Sequence, residues 1–256
     1  MRRIACITGA SSGIGEEFSY QLAEKGYDLI LVARSTDKLD ELARMLRKRY
    51  PVSCEVIPCD LSEKDECLRL IRILRKRNLY LLINNAGFGD IGQFHETDRD
   101  KDLKMIDVNV CALHLLTKAV LRDFIKRDKG YILNVASIAG LMDGGPLMAT
   151  YYATKAYVLS LTSSIAGELK QAGSHVRISA LCPGPVDTSF NEVAGVIFAM
   201  KGLTTNECVS YCLKQMNRGK LVIVPGLLPR LAATGARFAP RGLVLSSTAR
   251  AQRSKL

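Results

Sequence analysis

Two apolar periodicities alternate along most of the chain. Short apolar runs over Arg3–Thr8, Asp28–Ala33, Val52–Ile57, Leu79–Ile83, Tyr131–Val135 and His175–Leu181 read as strands, and a last one, Lys220–Val224, comes late. Between them lie segments with helical spacing: Ile14–Lys25, Thr36–Arg49, Ser62–Arg77 opened by a Ser62 N-cap, one long helix over Arg99–Phe124, and Tyr151–Gln171. The Thr36–Arg49 segment sets Leu39, Leu42, Ala43 and Leu46 on one face. Strand and helix in strict alternation are the pattern of a parallel sheet with crossover helices. Runs such as DLILVA and LYLLI suit strands buried on both faces. The expectation is one α/β domain over residues 1–225, doubly wound, with a parallel sheet of about seven strands and helices on both faces. Residues 188–219 break the rhythm with an apolar helical piece, Val193–Met200, and read as a lid over the C-terminal edge of the sheet. Residues 226–256 read as a tail packed on the domain or extending from it.

Charge and cysteine usage narrow the class. The net charge of +11 is uneven: after Glu207 there is no acidic residue, while nine basic ones follow, against 27 basic and 25 acidic side chains before that point. A nearly neutral domain therefore carries a basic tail. The eight cysteines stand singly, with no C-x-x-C pair and no Cys/His cluster, which argues for reduced thiols and against a metal site. Met1-Arg2-Arg3 leads straight into Ile4–Ile7, so no secretory leader is expected, and no apolar run reaches the length of about 18 residues that a bilayer span needs. A cytoplasmic location follows. The terminal Ser254-Lys255-Leu256 matches a peroxisomal address, which has meaning only in a eukaryote.

Thr8-Gly9-Ala10-Ser11-Ser12-Gly13-Ile14-Gly15 sits between the first strand and the first helix. Glycines at 9, 13 and 15 let backbone N–H groups approach a pyrophosphate, and the helix N-terminus favours its charge, as in a Rossmann fold. Gly-Lys-Ser/Thr is missing, which argues against nucleotide hydrolysis. An NAD site offers a carboxylate to the ribose 2′-hydroxyl just after the second strand. Here the sequence is Val32-Ala33-Arg34-Ser35, and Asp28 comes too early. Arg34 can hold a 2′-phosphate with its planar fork, helped by Ser11 and Ser35, so NADP(H) is the expected cofactor; the alternative is a solvated surface arginine.

Together with this turn, Asp60-Leu61, Asn84-Asn85-Ala86-Gly87, Asn109, Ser137, Tyr151-x-x-x-Lys155 and Pro183-Gly184 resemble, in order, the motifs of the short-chain dehydrogenases/reductases. VARSTDKLDELA and Pro-Gly-Pro-Val-Asp-Thr are most similar to broad bacterial short-chain dehydrogenases and to the hydroxysteroid and 3-ketoacyl reductase branch. Tyr151 and Lys155, four residues apart on a helix, emerge on one face, and a nearby ammonium should draw the phenol down from its usual pKa of about 10. The resemblance implies that Tyr151 exchanges a proton with the carbonyl oxygen and that Lys155 holds the nicotinamide ribose. It implies that Ser137 orients the substrate oxygen and that Asn109 holds a water linking Lys155 to solvent. It also implies contacts of Gly9, Ser11, Ser12, Gly13, Ile14 and Gly15 with the pyrophosphate. Asp60 would meet the adenine, Asn85, Ala86 and Gly87 the adenosine ribose, and Pro183, Gly184, Val186 and Thr188 the nicotinamide. Asp60-Leu61-Ser62 also reads as a turn into a helix. Ser137 precedes Tyr151 by one position more than the family's usual spacing, which places an extra residue in the loop Asp143-Gly144-Gly145-Pro146.

Leu141, Met142, Phe190, Val193, Ile197 and Phe198 are candidates for an apolar pocket and lid, or for plain core, and favour a lipophilic carbonyl or secondary alcohol substrate. In the tail, Leu227, Leu228, Leu231, Phe238, Leu243, Val244 and Leu245 interleave with arginines. That suits a helical cap, an anionic membrane surface, or the phosphates of a CoA or carrier thioester. Nucleic acid is not expected, since no recognised module is present. A dimer or tetramer is expected from the resemblance. The competing reading is a non-catalytic NADP-binding or membrane-associated interaction protein, which the intact Asn109, Ser137, Tyr151 and Lys155 oppose. A sugar-nucleotide epimerase would need a larger C-terminal part than follows Pro183.

Overall fold

The computed structural model describes residues 2–188 and 202–253. Seven parallel strands form one sheet in the order β3-β2-β1-β4-β5-β6-β7. They are β1 (Ile4–Thr8), β2 (Asp28–Ala33), β3 (Cys54–Pro58), β4 (Leu79–Asn84), β5 (Tyr131–Val135), β6 (Arg177–Leu181) and β7 (Val222–Ile223). The alternation of side chains along each strand divides the core in two. Ala5, Ile7, Leu29, Leu31 and Ile83 pack against α1 (Gly13–Glu24) and α2 (Thr36–Arg49) through Phe18, Leu22, Leu39 and Leu46. Cys6, Ile30, Val32, Leu82 and Ile132 face the other way. They meet α3 (Lys64–Leu74) and α5 (Leu113–Arg127) through Leu70, Ile71, Leu116 and Phe124. The doubly wound Rossmann architecture read from the periodicity is the one observed.

Several boundaries differ for physical reasons. Residues 99–124 do not form one helix: α4 (Arg99–Ile106) runs into a π-helical turn over Asp107–Ala112 and then into α5. Ser62 does not cap α3; Glu63 occupies that position, and both the N–H and the hydroxyl of Ser62 donate to Asp60 Oδ1, at 2.9 and 2.8 Å. Within the stretch expected as a lid, α7 (Thr205–Asn217) is a crossover helix between β6 and β7. Its Cys208, Val209, Cys212 and Met216 are buried in the core beside α1, and a Thr204–Glu207 capping box starts it. Val193–Met200, Phe190 and Ser254–Leu256 lie outside the described residues.

The tail is two helices, α8 (Leu227–Phe238) and α9 (Arg241–Arg253). α8 buries none of its side chains. α9 folds back on α6 (Ala149–Gln171) and buries Val244, Thr248 and Gln252. Among the described residues no helix is long and apolar enough to cross a membrane.

Candidate active site

The strand order reverses between β1 and β4, and a crevice opens there at the carboxyl ends of the strands. It holds a cleft of about 540 Å³. Thr8 fixes one wall: its Oγ1 accepts from the N–H groups of Asn85 and Ala86, at 3.0 and 3.1 Å. The Asn85 amide returns two bonds, to the carbonyls of Thr8 and Gly9. The glycine turn is thus tied to the end of β4, and the Asn85 side chain is spent on that bond pattern. Gly9 has φ +65°, and a Cβ on Gly15 would come within 2.1 Å of the Gly9 carbonyl oxygen. Gly15 therefore serves the close packing of turn on helix and does not face the cleft.

Most of the positions singled out from the sequence do face it. Gly9, Ser11, Ser12, Gly13, Ile14, Arg34 and Asp60 line it from the turn side, with Asn85, Ala86 and Gly87 between and Ser137, Tyr151, Lys155, Pro183, Gly184 and Val186 beyond; Thr188 also lines it, with its side chain against Gly13. Asp60 fills both of its readings, since it accepts from Ser62 in a turn and also lines the cleft. Burial alone would raise its carboxyl, but the bonds from Ser62 and the charges of Arg34 and Lys104 hold it below the ordinary value.

Asn109 stands behind the wall. The π-turn points its amide at the Phe88 backbone, where Oδ1 accepts at 3.1 Å and Nδ2 donates at 2.9 Å, and at Thr154 Oγ1. A Cβ on Gly87 would lie 2.8 Å from Asn109 Oδ1 and 3.2 Å from Lys155 Nζ, so Gly87 leaves those two groups room.

Lys155 is buried, and its Nζ donates to the Val135 carbonyl at 3.0 Å. Its ammonium lies 5.7 Å from the centre of the Tyr151 ring. The expectation that it draws the phenol down is not met in the protein alone. Burial pushes Tyr151 up to about 12, with a hydrogen bond to Ser137 opposing the rise, and burial draws Lys155 down to about 8. Desolvation outweighs the field of an ammonium that is itself desolvated and turned to a carbonyl.

The pocket wall also differs. Leu141 packs in the core beside Ala136, Val158 and Cys182, and neither it nor Met142 lines the cleft; Ile138, Met148, Phe88 and Tyr152 do. Val193, Ile197 and Phe198 lie outside the described residues. In the loop that follows Asp143, Gly145 packs against the Tyr152 ring, and Leu147 takes φ +70° with its carbonyl accepting from Gly92 N–H at 2.8 Å. Gln252, from α9, reaches the same cleft and carries no sequence signal of its own.

A model of the short chain dehydrogenase family matches residues 3–195. The chain belongs to that family. It is 37% identical over 179 residues to the very-long-chain 3-oxoacyl-CoA reductase of Neurospora crassa, a match that covers 68% of this chain and 54% of the relative. The chain thus spans about half the length of the first curated relatives it matches. Among solved structures, a short-chain dehydrogenase from Sphingobium yanoikuyae in complex with NADPH is 32% identical with a TM-score of 0.84, covering 94% of each chain. The bulky-bulky ketone specific alcohol dehydrogenase from Comamonas testosteroni is 32% identical with a TM-score of 0.80, covering 94% of this chain and 93% of that one.

Proposed function

We propose that this chain is an NADP(H)-dependent oxidoreductase acting on a lipophilic carbonyl compound or the corresponding secondary alcohol. One observation carries the reading: Ser137, Tyr151 and Lys155 meet at one end of a single cleft whose other end holds the glycine turn and Arg34. The cleft fits a dinucleotide. Gly9 and Gly13 keep the turn bare, the N-terminus of α1 opens onto it, and Arg34 and Lys104 line the same end. The cofactor, when bound, supplies or takes the hydride. Ser137 orients the carbonyl oxygen and Tyr151 donates its proton to that oxygen as charge develops there. A buried phenol stays protonated at neutral pH, which is the form that reduction consumes. In this reading Lys155, which lies with Asn109 against Gly87, holds the nicotinamide ribose, and Asn109 holds a water that links Lys155 to solvent for the replacement proton.

The test is Tyr151→Phe. NADPH oxidation with a ketone should fall at least about a hundredfold, while NADPH binding, followed by fluorescence, is retained. Turnover close to that of the unaltered chain would overturn the assignment.

Seven of the eight cysteines are buried as free thiols, which supports a reducing, cytoplasmic compartment. For a partner beyond substrate we favour an anionic membrane surface at α8, because Leu227, Leu228, Leu231 and Phe238 are all exposed on it and no acidic residue follows Glu207.

A further inference from the structure

Tyr152 and Gln252 form a polar contact at the substrate end of the cleft that the proposed reaction does not use. Gln252 Nε2 donates to the Tyr152 hydroxyl at 2.6 Å, across 100 residues of sequence. Both side chains line the cleft beside Tyr151 and Ser137. The Tyr151 and Tyr152 rings meet edge to face with centres 6.3 Å apart. The Tyr152 ring is fixed from behind by Gly145, where any Cβ would lie 2.3 Å from the ring. The helix that delivers Gln252 packs on the same loop: a Cβ on Gly144 would lie 3.1 Å from the Leu245 side chain, and the Thr248 hydroxyl, shared with the Val244 and Leu245 carbonyls of its own helix, comes within 3.2 Å of the Gly144 carbonyl. The glycine loop, Tyr152 and α9 therefore make one braced corner.

A phenol that accepts from a carboxamide keeps its own proton to donate. Burial raises the Tyr152 phenol, more than the Gln252 bond lowers it, so it remains a donor through the neutral range. The cleft then offers two phenolic donors side by side, one for the reacting oxygen and one beside it. A simple ketone would satisfy the first and leave the second, desolvated, without an acceptor.

Resting on the oxidoreductase reading above, we propose that Tyr152, positioned by Gln252, is a specificity-determining donor for a second substrate oxygen. The substrates it selects are carbonyl compounds with another acceptor near the reacting carbon, as in a 3-oxoacyl ester or thioester. Tyr152 binds the second carbonyl oxygen. Gln252 is a positioning residue that holds the phenol in place.

The test compares ethyl 3-oxohexanoate with 4-nonanone, which has the same chain length and lacks the ester oxygens. Tyr152→Phe should lower the ratio of kcat/KM, ester over ketone, about tenfold, mainly through KM for the ester. Gln252→Leu should lower the same ratio by a smaller factor, with the circular dichroism of the chain unchanged. A ratio that stays within twofold in both variants, with ester and ketone losing activity together, overturns the subsite and leaves the oxidoreductase reading standing. Failure of the unaltered chain to reduce either compound with NADPH overturns that reading and the subsite with it.

Discussion

Lys155 Nζ donates to the carbonyl of Val135, 3.0 Å away at the end of β5, and this bond holds a cation in a buried place. Burial draws the Lys155 pKa from 10.5 to about 8. The sign of the consequence for stability follows from proton counting. Below about pH 8 folded and unfolded chains both carry the proton, and the folded chain bears the cost of a desolvated charge. As pH rises from about 8 to 10.5 the folded chain releases it while the unfolded chain keeps it, so stability rises. Lys155→Met removes this dependence. In the cofactor-free protein, the stability of the unaltered chain minus that of Lys155→Met should climb by on the order of 3 kcal/mol over that window. Denaturant unfolding at stepped pH measures it, and two parallel curves would contradict the account.

The turn gives a second prediction. A Cβ on Gly15 would meet the Gly9 carbonyl oxygen at 2.1 Å and Asn85 Nδ2 at 2.5 Å, both inside the network that fastens the turn. Gly15→Ala should cost about 1–3 kcal/mol and weaken NADPH binding with it. Gly167, on the exposed side of α6, meets nothing within 4 Å. Gly167→Ala should instead stabilise by about 0.5–1 kcal/mol and leave NADPH binding alone. Thermal melting and an NADPH titration of the two variants separate local crowding from the general effect of adding a methyl group.

How far the sequence carried depended on how local each feature is. The strands and their order of appearance were legible because β/α alternation is a short-range pattern, and the glycine turn because it sits wholly between β1 and α1. The π-turn at Asn109 was not, since a single extra residue in a helical turn barely shifts the apolar period between Arg99 and Phe124. α7 was missed although Thr204 and Glu207 announce it, because its cysteines and Met216 blurred the apolar stripe into the segment before it. The direction of the Tyr151 shift was misread for a different reason. Spacing shows which charge is near a phenol but not how little water reaches it. Gln252 was out of reach altogether, because its meeting with Tyr152 depends on α9 folding back over the catalytic helix.

Arg34 follows Ala33 at the end of β2, where a carboxylate would otherwise select NAD. It is exposed at the mouth of the cleft, and its charge is felt by Asp60. NADPH should bind at least about tenfold more tightly than NADH, and Arg34→Ala should bring the two affinities together by weakening NADPH. Because the site is open to solvent, the gap should also shrink as salt is raised. Equal affinities for the two cofactors in the unaltered chain would remove Arg34 from the argument.

The exposed face of α8 leads to the last prediction, which truncation of the tail would not test cleanly. Removing the whole tail would also remove Gln252 and open the cleft, so truncation confuses docking with catalysis. Arg230 is occupied too: its Nε donates to the Val224 carbonyl at 2.8 Å, and its guanidinium bonds to the Tyr211 hydroxyl and stacks on that ring. It fastens α8 to α7, leaving Arg237 and Arg241 to meet lipid phosphates. Leu227, Leu231 and Phe238 are 70%, 60% and 82% exposed, and replacing all three with serine removes no buried contact. Burying such side chains in an interface is worth about 1.5–3 kcal/mol each, with the arginines adding a salt-sensitive attraction. The unaltered chain should therefore float with phosphatidylglycerol vesicles at low salt and not with phosphatidylcholine vesicles. The triple variant should lose flotation at an unchanged melting temperature and unchanged ketone reductase activity. If the unaltered chain fails to float and the same substitutions break a dimer on a sizing column, the face belongs between two copies of the chain and the membrane proposal is wrong.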